Sequence, residues 1–241
     1  MAYLTGFHSI EERIKYGGGI SLLVAKAGPR ARELVELALS KKVPVVRVGT
    51  NELDRISNDH RGIALEVEDA AEDSANLRLE DFIAGLGDQE KNKNVLVVVL
   101  DEITDPHNFG AILRSCDQFG VNLVITRNKR TAKHADIIAK TSAGAAAWVP
   151  SSEVPNLPRA VEQLKEAGFW IYGADMKGDA VYKQKLKGRV CLILGGEGSG
   201  ISRLLRESCD ALLSIPSKGR VDSLNVSVAA GIFFYEIIRQ R

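Results

Sequence analysis

Several kinds of feature are scarce in this sequence of 241 residues, and each absence excludes a class of protein. There are 3 cysteines, at positions 116, 191 and 209, and their spacing argues against a disulfide framework or a zinc site. No apolar run approaches the roughly 20 residues that span a bilayer. The first residues lack the basic and apolar stretches of a secretory signal. We therefore expect a cytoplasmic protein with buried, inert thiols, no membrane segment and no metal.

The net charge is also small, but it is the sum of larger charges of opposite sign along the chain. The formal net charge is +1, made up of +1 over residues 1–68, −5 over 69–92 and +5 over 93–241. The acidic middle segment is polar and Ala-rich, as is typical of a linker. The sequence therefore predicts an N-terminal domain over 1–68, a linker over 69–92 and a larger domain over 93–241. The excess of basic residues in the last segment permits a surface for nucleic acid.

Apolar periodicity predicts an α/β fold in both domains. In the N-terminal domain we expect strands over 20–25, 43–48 and 62–67, with a helix over 29–39. In the larger domain the apolar run 95–100 is typical of a strand buried on both faces. Further strands are expected over 121–126, 145–149, 170–174, 190–194 and 211–215, and helices over 109–119, 135–140, 157–167, 202–208 and 223–239. This alternation predicts a mostly parallel sheet with helices on both faces.

Three segments of the larger domain concentrate Gly and small polar residues. They are DPHNFGAILR (105–114), LILGGEGSG (192–200) and IPSKGRVDSLNVSVAAG (215–231). Each lies where an apolar run passes into a loop or a helix. Ligands of open α/β sheets bind beyond the carboxyl ends of the strands. We therefore expect the three segments to form one composite pocket.

The glycine-rich segment does not have the spacing of a dinucleotide-binding fingerprint. Glu197 occupies the second glycine position, where its charge would repel a pyrophosphate, and no P-loop lysine follows. A tight strand-to-helix turn explains such a motif when it occurs alone. Three glycines around one carboxylate also let a ligand approach the backbone closely, which favours a site.

The other two segments each predict the start of a helix. Asn108 is a suitable N-cap for a helix from Phe109, and Arg114 lies about one and a half turns further on. Ser223 is a plausible N-cap for the last helix. The small residues that follow Ser223 allow close packing, either internally or against another subunit.

A basic cluster follows the strand that ends at Thr126, and consists of Arg127, Lys129, Arg130 and Lys133. A solvated loop is the default interpretation of any charge run. We favour contact with RNA phosphates, since the cluster lies at the same sheet edge as the three segments.

As a set, the segments resemble the three signature motifs of the SpoU/TrmH family, which are RNA ribose 2′-O-methyltransferases of the SPOUT superfamily. The resemblance covers roughly residues 95–240 and rests on Asn108, Gly110 and Arg114, on Gly195, Glu197 and Gly200, and on Ser223, Leu224 and Asn225. The N-terminal module, which ends in DHRGIALEV, is similar to the substrate-binding domain of RlmB-type members. That domain resembles an RNA-binding ribosomal protein, and RlmB-type enzymes methylate a guanosine of 23S ribosomal RNA.

The resemblance implies a parallel-sheet SPOUT domain with a deep trefoil knot, a homodimer, an RNA substrate and S-adenosylmethionine as cofactor. It implies that the cofactor is bound by Gly195, Gly196, Ile215 and Leu224. It places at the reacting end Asn108, Arg114, Glu197, Ser223 and Asn225.

The role of Arg114 is open between two hypotheses. The family proposal makes this arginine the general base, but a guanidinium stays protonated in proteins. Alternatively, Arg114 binds the target phosphate and stabilises the developing alkoxide.

Three other functions are weighed against methylation of ribosomal RNA. One is a guanosine 2′-O-methyltransferase of the same family that acts on transfer RNA. Another is an NAD-dependent oxidoreductase, which needs an acidic residue about 20 positions beyond the glycines, where this chain has Ile215, Pro216 and Ser217. The last is a non-catalytic RNA-binding protein, which the presence of Asn108, Arg114 and Glu197 disfavours.

Overall fold

A computed structural model describes residues 2–17, 19–57, 60–67, 76–87, 94–127, 135–219 and 223–241. The chain divides into two compact units, residues 1–74 and 75–241. The domain boundaries at 68 and 93 stay a prediction, because both ends of the expected linker lie outside the described residues. Among the described residues, no helix combines the length and the apolar character needed to cross a membrane.

The N-terminal unit is a four-stranded sheet with helices packed against it. Its elements are β1 (Ala2–Leu4), α1 (Phe7–Tyr16), β2 (Gly19–Val24), α2 (Pro29–Ser40), β3 (Val45–Arg47), α3 (Thr50–Ile56) and β4 (Ile63–Val67). The strand order is β1-β4-β2-β3, with β4 antiparallel to β1 and β2, and β3 parallel to β2. Leu22, Leu34 and Leu65 are buried in its core. The strands and the helix predicted for this unit are confirmed, with small shifts at their ends.

The C-terminal unit is built on a six-stranded sheet in the order β10-β8-β9-β5-β6-β7, and every neighbouring pair is parallel. The predicted parallel α/β fold is confirmed. Its elements are α4 (Leu79–Gly85), β5 (Val95–Asp101), α5 (Pro106–Gln118), β6 (Leu123–Arg127), α6 (Ala135–Thr141), a 3₁₀ turn (Ala145–Ala147), β7 (Ser151–Val154), α7 (Leu157–Glu166), β8 (Trp170–Ala180), a 3₁₀ turn (Val181–Lys183), β9 (Arg189–Gly195), α8 (Arg203–Glu207), β10 (Ala211–Ser214) and α9 (Val226–Arg239).

The sheet is buried on both faces around β5, all of whose residues are buried. Leu96 and Val98 belong to one apolar cluster, with Ile112 of α5 and Phe234 of α9. Val95, Val97 and Val99 belong to a second apolar cluster, which contains residues of α7. Burial on two faces explains why the strand is a continuous apolar run and does not alternate.

One predicted strand, over 145–149, is wrong. Ala145–Ala147 forms a 3₁₀ turn, and the strand is Ser151–Val154. Ala143 and Gly144 precede the turn with φ values of 53° and 93°. Two successive left-handed residues reverse the chain there, and the pairing with β6 begins beyond Pro150.

Both predicted helix starts are also wrong, and the correction matters for the site. Asp105 caps α5 by accepting a hydrogen bond from the His107 N–H at 3.0 Å, with Pro106 at the first helical position. Asn225 takes the place expected for Ser223, and its Oδ1 accepts from the Ser227 N–H at 2.9 Å. Asn108 therefore lies inside the first turn of α5, where its side chain is available to other partners.

Strand β8 separates from β10 near the carboxyl edge of the sheet. Gly173 pairs with Leu212, but Leu213 pairs with Asp179, so that residues 174–178 leave the ladder. A Cβ at Gly178 would lie 2.4 Å from backbone atoms of Leu212, which explains the glycine at the return point. The bulge leaves space at the ends of β8, β9 and β10.

The three thiols are held in the protonated form. Desolvation by burial raises the pKa of Cys116 and of Cys191, and raises the pKa of half-buried Cys209 to about 11. Cys116 and Cys191 are buried, as the sequence predicted, whereas Cys209 is only partly buried, contrary to that prediction.

Candidate active site

The three motif segments meet at the point where the sheet order reverses. From β5 the chain crosses to β6 and β7 on one side, while β9, β8 and β10 lie on the other side. The carboxyl ends of β5 and β9 therefore flank the crevice in which open α/β sheets bind ligands.

The glycine-rich segment is a tight turn directly after β9, as expected from the sequence. The Gly200 N–H donates to the Gly196 carbonyl at 3.0 Å. A Cβ at Gly195 would lie 2.1 Å from the Gly200 carbonyl carbon, and one at Gly196 would lie 2.7 Å from the Glu102 carbonyl oxygen. Only glycine fits at these two positions, and the turn so formed presents Glu197.

Three polar side chains from the three segments form one hydrogen-bonded group. Asn108 Nδ2 donates to Glu197 Oε1 at 2.8 Å. Asn225 Nδ2 donates to the same oxygen at 3.0 Å and to Asn108 Oδ1 at 2.9 Å. We call Asn108, Glu197 and Asn225 the amide–carboxylate wall. Asn108 is 7% exposed, whereas the other two side chains are accessible.

The cap of α9 fixes the orientation of this wall. Asn225 Oδ1 accepts from the Ser227 N–H at 2.9 Å and from Ser227 Oγ at 2.6 Å, so the amide nitrogen faces Asn108 and Glu197. Both amide protons of Asn225 thus meet an acceptor. Within the described part of the chain, Glu197 Oε2 has no hydrogen-bond partner and is available to a substrate.

A cavity lies on each side of the wall. The front cavity has a volume of about 670 Å³ and is lined by Leu100, Asp101, Glu102, Ile103, Thr104, Asp105, Pro106, Asn108, Phe109, Thr126, Arg127 and Ile138. The inner cavity has a volume of about 610 Å³. Glu197, Ser199 and Val226 line both. Each cavity falls within the range of about 300–1,000 Å³ that small-molecule sites occupy.

The inner cavity collects the residues predicted to hold the cofactor, namely Gly195, Gly196, Ile215 and Leu224. Ser223 and Asn225 also line it, together with apolar side chains such as Leu213 and Phe233. The residues 174–177 displaced by the bulge in β8 complete the lining, and Asp175 there pairs with Arg206. Glycine backbone and apolar side chains beside charged groups fit an adenosyl group with an amino-acid tail.

Arg114 does not join this group within one chain. It is exposed on α5 and lines neither cavity. Of the predicted basic cluster, Arg127 lines the front cavity, whereas Lys129, Arg130 and Lys133 lie outside the described residues.

Sequence reasoning missed the front cavity. Asp101 is buried at the end of β5 and accepts the Ser202 N–H at 2.8 Å, which ties the glycine-rich turn to β5. Glu102 follows with a left-handed φ of 56°, and Thr126 ends the buried part of β6. The sequence did contain a signal for this cavity, since two carboxylates, Asp101 and Glu102, stand at the end of a buried strand. The carboxyl ends of parallel strands meet at one edge of the sheet, where ligands bind.

Sequence comparison identifies the family. The profile of the SpoU rRNA methylase family matches residues 95–235, and that of the RNA 2′-O ribose methyltransferase substrate-binding domain matches residues 3–72. The chain belongs to the SpoU rRNA methylase family. The family recognised from the three motifs is thereby confirmed.

Individual relatives cover nearly the whole chain. An uncharacterized tRNA/rRNA methyltransferase of Borreliella burgdorferi is 41% identical over 92% of this chain and 98% of its own length. The 23S rRNA (guanosine-2′-O-)-methyltransferase RlmB of Pseudomonas aeruginosa is 37% identical over 98% and 95%. The crystal structure of the SpoU methyltransferase AviRb from Streptomyces viridochromogenes with AdoMet has a TM-score of 0.72 at 24% identity, over 99% of this chain and 89% of that one.

This SpoU protein is an RNA 2′-O-methyltransferase. SpoU methyltransferases use S-adenosylmethionine, for which the inner cavity provides a fitting site. Among the described residues, no cluster of three or more His, Cys, Asp or Glu has an arrangement that could hold a metal ion.

Proposed function

We propose that this SpoU methyltransferase methylates the ribose 2′-hydroxyl of one guanosine in 23S ribosomal RNA. Relatives named for this activity support the choice of substrate, at 35–41% identity. The observation that carries the proposal is the amide–carboxylate wall, which stands between two cavities of ligand size. A wall in this position can align a cofactor on one side with a substrate on the other, and alignment supplies a large part of the barrier reduction.

We assign the cofactor to Gly195, Gly196, Ile215 and Leu224 in the inner cavity. S-adenosylmethionine supplies a methyl group on a sulfonium. The backbone at these positions would hold its polar groups, and apolar side chains such as Leu213 and Phe233 would exclude water. Glu197 and Asn225 line the same cavity and would lie beside the bound cofactor.

Glu197 orients the nucleophile. Asn108 and Asn225 both donate to Oε1, which fixes the carboxylate and leaves Oε2 for the substrate. Oε2 would accept the hydrogen bond and then the proton of the ribose hydroxyl, which would free an oxygen lone pair for attack on the methyl group that the cofactor supplies. Ser223, which lines the inner cavity, is assigned to the same end of the site.

We propose that the active form is a homodimer. Helix α9 and the residues before it expose an apolar face made of Leu224, Val228, Ile232, Tyr235 and Ile238. An apolar patch of this kind, at a spacing of three to four residues on one helix, is typical of a subunit interface.

The proposed dimer gives Arg114 a role that one protomer does not allow. Its neighbour Ser115 lies beside Gly231 of α9, so that Arg114 emerges next to the apolar face. From there it reaches the site of the partner protomer, where its charge stabilises the developing alkoxide and the target phosphate. General base catalysis by Arg114 is the competing hypothesis.

The finer structural expectations belong to the same proposal. These are a deep trefoil knot in the C-terminal domain, an N-terminal RNA-binding domain that resembles a ribosomal protein, a linker over 69–92, and phosphate contacts by the cluster from Arg127 to Lys133. We place the enzyme in the cytoplasm, with its ribosomal substrate.

Mass spectrometry of nucleosides tests the proposal directly. Large-subunit ribosomal RNA from cells without this protein should lack one 2′-O-methylguanosine, which the wild-type protein restores and the Glu197→Gln variant does not. Loss of the modified nucleoside from transfer RNA alone would move the function to that substrate. Unchanged modification of both RNAs would refute the proposal.

Calorimetry separates the methyltransferase from the oxidoreductase alternative. The purified protein should bind S-adenosylmethionine and show no heat of binding with NAD. Binding of NAD without binding of S-adenosylmethionine would support the oxidoreductase instead.

A further inference from the structure

The front cavity has a chemistry that methyl transfer itself does not require. Alignment of a hydroxyl with a methyl group uses the wall and the inner cavity. The front cavity adds about 670 Å³ of space on the far side, lined by carboxylates, two threonines and an arginine beside apolar side chains. A cavity of this volume with these side chains is suited to bind a second group, distinct from the cofactor.

The position of the front cavity suggests which part of the RNA it receives. Glu197 and Ser199 line both cavities, so a ribose held at the wall lies at the mouth of the front cavity. Enzymes that modify a nucleotide within structured RNA or DNA take it out of the stack into a pocket. The base attached to the ribose is then the group nearest to the front cavity.

Glu102 is the carboxylate best placed for recognition. Asp101 is buried and already accepts the Ser202 N–H, and Asp105 caps α5. Glu102, by contrast, lines the cavity, is exposed, and makes no hydrogen bond or ion pair with any described residue. Its φ of 56° is rare for a bulky side chain, and such strain tends to persist where function requires it.

Thr126 provides an independent sign of a ligand. The residue is 5% exposed and lines the front cavity, and its hydroxyl is buried without a hydrogen-bond partner among the described residues. Buried polar groups in folded proteins are nearly always paired. A ligand group that hydrogen-bonds to this hydroxyl would satisfy it.

We propose that the front cavity binds the base of the target nucleotide and that Glu102 and Thr126 select guanine. The inference rests on the proposed guanosine methyltransferase and names its base subsite. Guanine carries two adjacent donors, N1–H and N2–H, which a carboxylate accepts together, and the O6 acceptor, to which a threonine hydroxyl donates. Adenine, cytosine and uracil lack this pair of adjacent donors. Arg127, beside Thr126, is available to the phosphate.

Nucleotide binding tests the subsite without methyl transfer. The probes are the 5′-monophosphates of guanosine, inosine and adenosine, added to protein saturated with S-adenosylhomocysteine and followed by ligand-observed NMR. We expect the wild type to bind the guanosine nucleotide about tenfold more tightly than inosine, which lacks the N2 amine. Glu102→Gln should abolish that preference while its affinity for S-adenosylhomocysteine is unchanged, since glutamine offers one acceptor and an opposing amine.

Methyl transfer to a synthetic RNA segment with the mapped target nucleotide gives a second readout. Thr126→Val should raise KM about tenfold with little change in kcat, and Thr126→Ser should restore the wild-type KM. Glu207→Gln, a surface carboxylate on α8, is the matched control and should change neither parameter.

The two proposals fail in distinguishable ways. Equal binding of the three nucleotides, or a guanine preference that survives both Glu102→Gln and Thr126→Val, refutes the base subsite even if RNA is methylated. A guanine preference that depends on Glu102, in a protein that methylates no RNA, supports the subsite and refutes the proposed function.

Discussion

The two cavities on either side of the amide–carboxylate wall are similar in volume but are lined by different groups. The inner cavity combines glycines and apolar side chains such as Phe233 with charged Asp175 and Arg206, whereas the front cavity contains Glu102 and Thr126 and has no glycine in its described lining. Glycines let one invariant small molecule approach the backbone closely. Selection among similar bases needs side-chain donors and acceptors, because backbone groups are the same at every residue.

The difference also lies in how each cavity is built. The inner cavity depends on close backbone approaches, such as that of Gly195 to Gly200, and on the bulge where β8 leaves β10. The front cavity depends on the ends of β5 and β6, where the sheet directs the side chain of Thr126, and on the residues from Glu102 onward that follow β5. Variation of Glu102 or Thr126 can therefore change the ligand of the front cavity while the inner one is preserved.

The largest effect is expected at the wall, which both cavities share. Asn108→Ala and Glu197→Gln should each lower kcat by about 10²–10³-fold, because a fixed hydrogen-bond partner of the reacting hydroxyl is lost. The affinity for S-adenosylmethionine should change little. The double variant should be barely worse than either single variant, because hydrogen-bonded residues act as a unit.

Single-turnover kinetics and calorimetry on the same samples measure these effects. Glu207→Gln again serves as the carboxylate control. If the two substitutions were additive in free energy, Asn108 and Glu197 would act separately and the wall would not be one functional unit.

The next largest loss of activity is expected on substitution of Arg114. Mixed dimers test whether this residue acts in the active site of the partner protomer. Arg114→Ala and Glu197→Gln proteins should each lose most of their activity alone. Co-expressed, they form mixed dimers in which one of the two sites has both residues, so the purified mixed dimer should have about half of the wild-type activity. Tagged purification of the mixed dimer and a methylation assay give the measurement. Continued inactivity of the mixed dimer would place Arg114 in its own protomer's site.

A pH–rate profile of Arg114→Lys addresses the role of the same residue. Activity near the wild-type level with a shifted pH optimum supports the general base, whereas loss at every pH supports charge stabilisation. We expect loss at every pH, because a lysine cannot reproduce the planar fork of donors.

Gly196→Ala should weaken ligand binding in both cavities at once. The added Cβ would lie 2.7 Å from the Glu102 carbonyl oxygen, so the glycine-rich turn and the strained Glu102 must both move. Affinity for S-adenosylhomocysteine and preference for guanine should then fall together, each by about tenfold, a loss typical of displaced binding groups. Gly85→Ala in α4 is the control, because its Cβ meets nothing within 4 Å. If only one of these two properties were lost in Gly196→Ala, the two cavities would bind their ligands independently.

The sequence was sufficient for the features that local pattern determines. The apolar run of β5 predicted a strand buried on two faces, and glycines after β9 predicted a tight turn, because both depend on neighbours in the sequence. The convergence of the three motif segments followed from one rule about parallel strand ends. That rule brought Asn108 and Asn225 together, 117 residues apart.

The remaining features depend on competition or on three-dimensional pairing. Asp105 and Asn108 are both good N-caps, and Pro106 at the first helical position decided for Asp105. Arg114 is part of the same motif as Asn108, but the spacing does not tell which helix face meets the site. Thr126 became notable only when its hydroxyl proved to be buried without a partner among the described residues.

The smallest expected effect lies outside both cavities, at the far end of the helix whose N-cap belongs to the wall. Hydrogen bonds from Arg239 and Gln240 lower the pKa of Glu236 to about 2. Because the folded pKa lies below the unfolded value, the stabilisation is complete above about pH 4.5 and is lost as the pH falls towards 2. Arg239 is 52% exposed, which limits the contribution to about 1 kcal/mol.

Urea unfolding of the wild type and of Glu236→Gln between pH 2 and 7 measures this contribution. The difference in unfolding free energy should be about 1 kcal/mol at pH 7 and should vanish near pH 2. Ligand affinities at neutral pH should be the same in both proteins, since the wall is formed at the opposite end of α9. If Glu236→Gln weakened S-adenosylmethionine binding about tenfold, as strongly as is expected of Gly196→Ala, the two ends of the helix would be coupled. The chemistry of the cavities would then depend on the whole length of α9 rather than on the residues that line them.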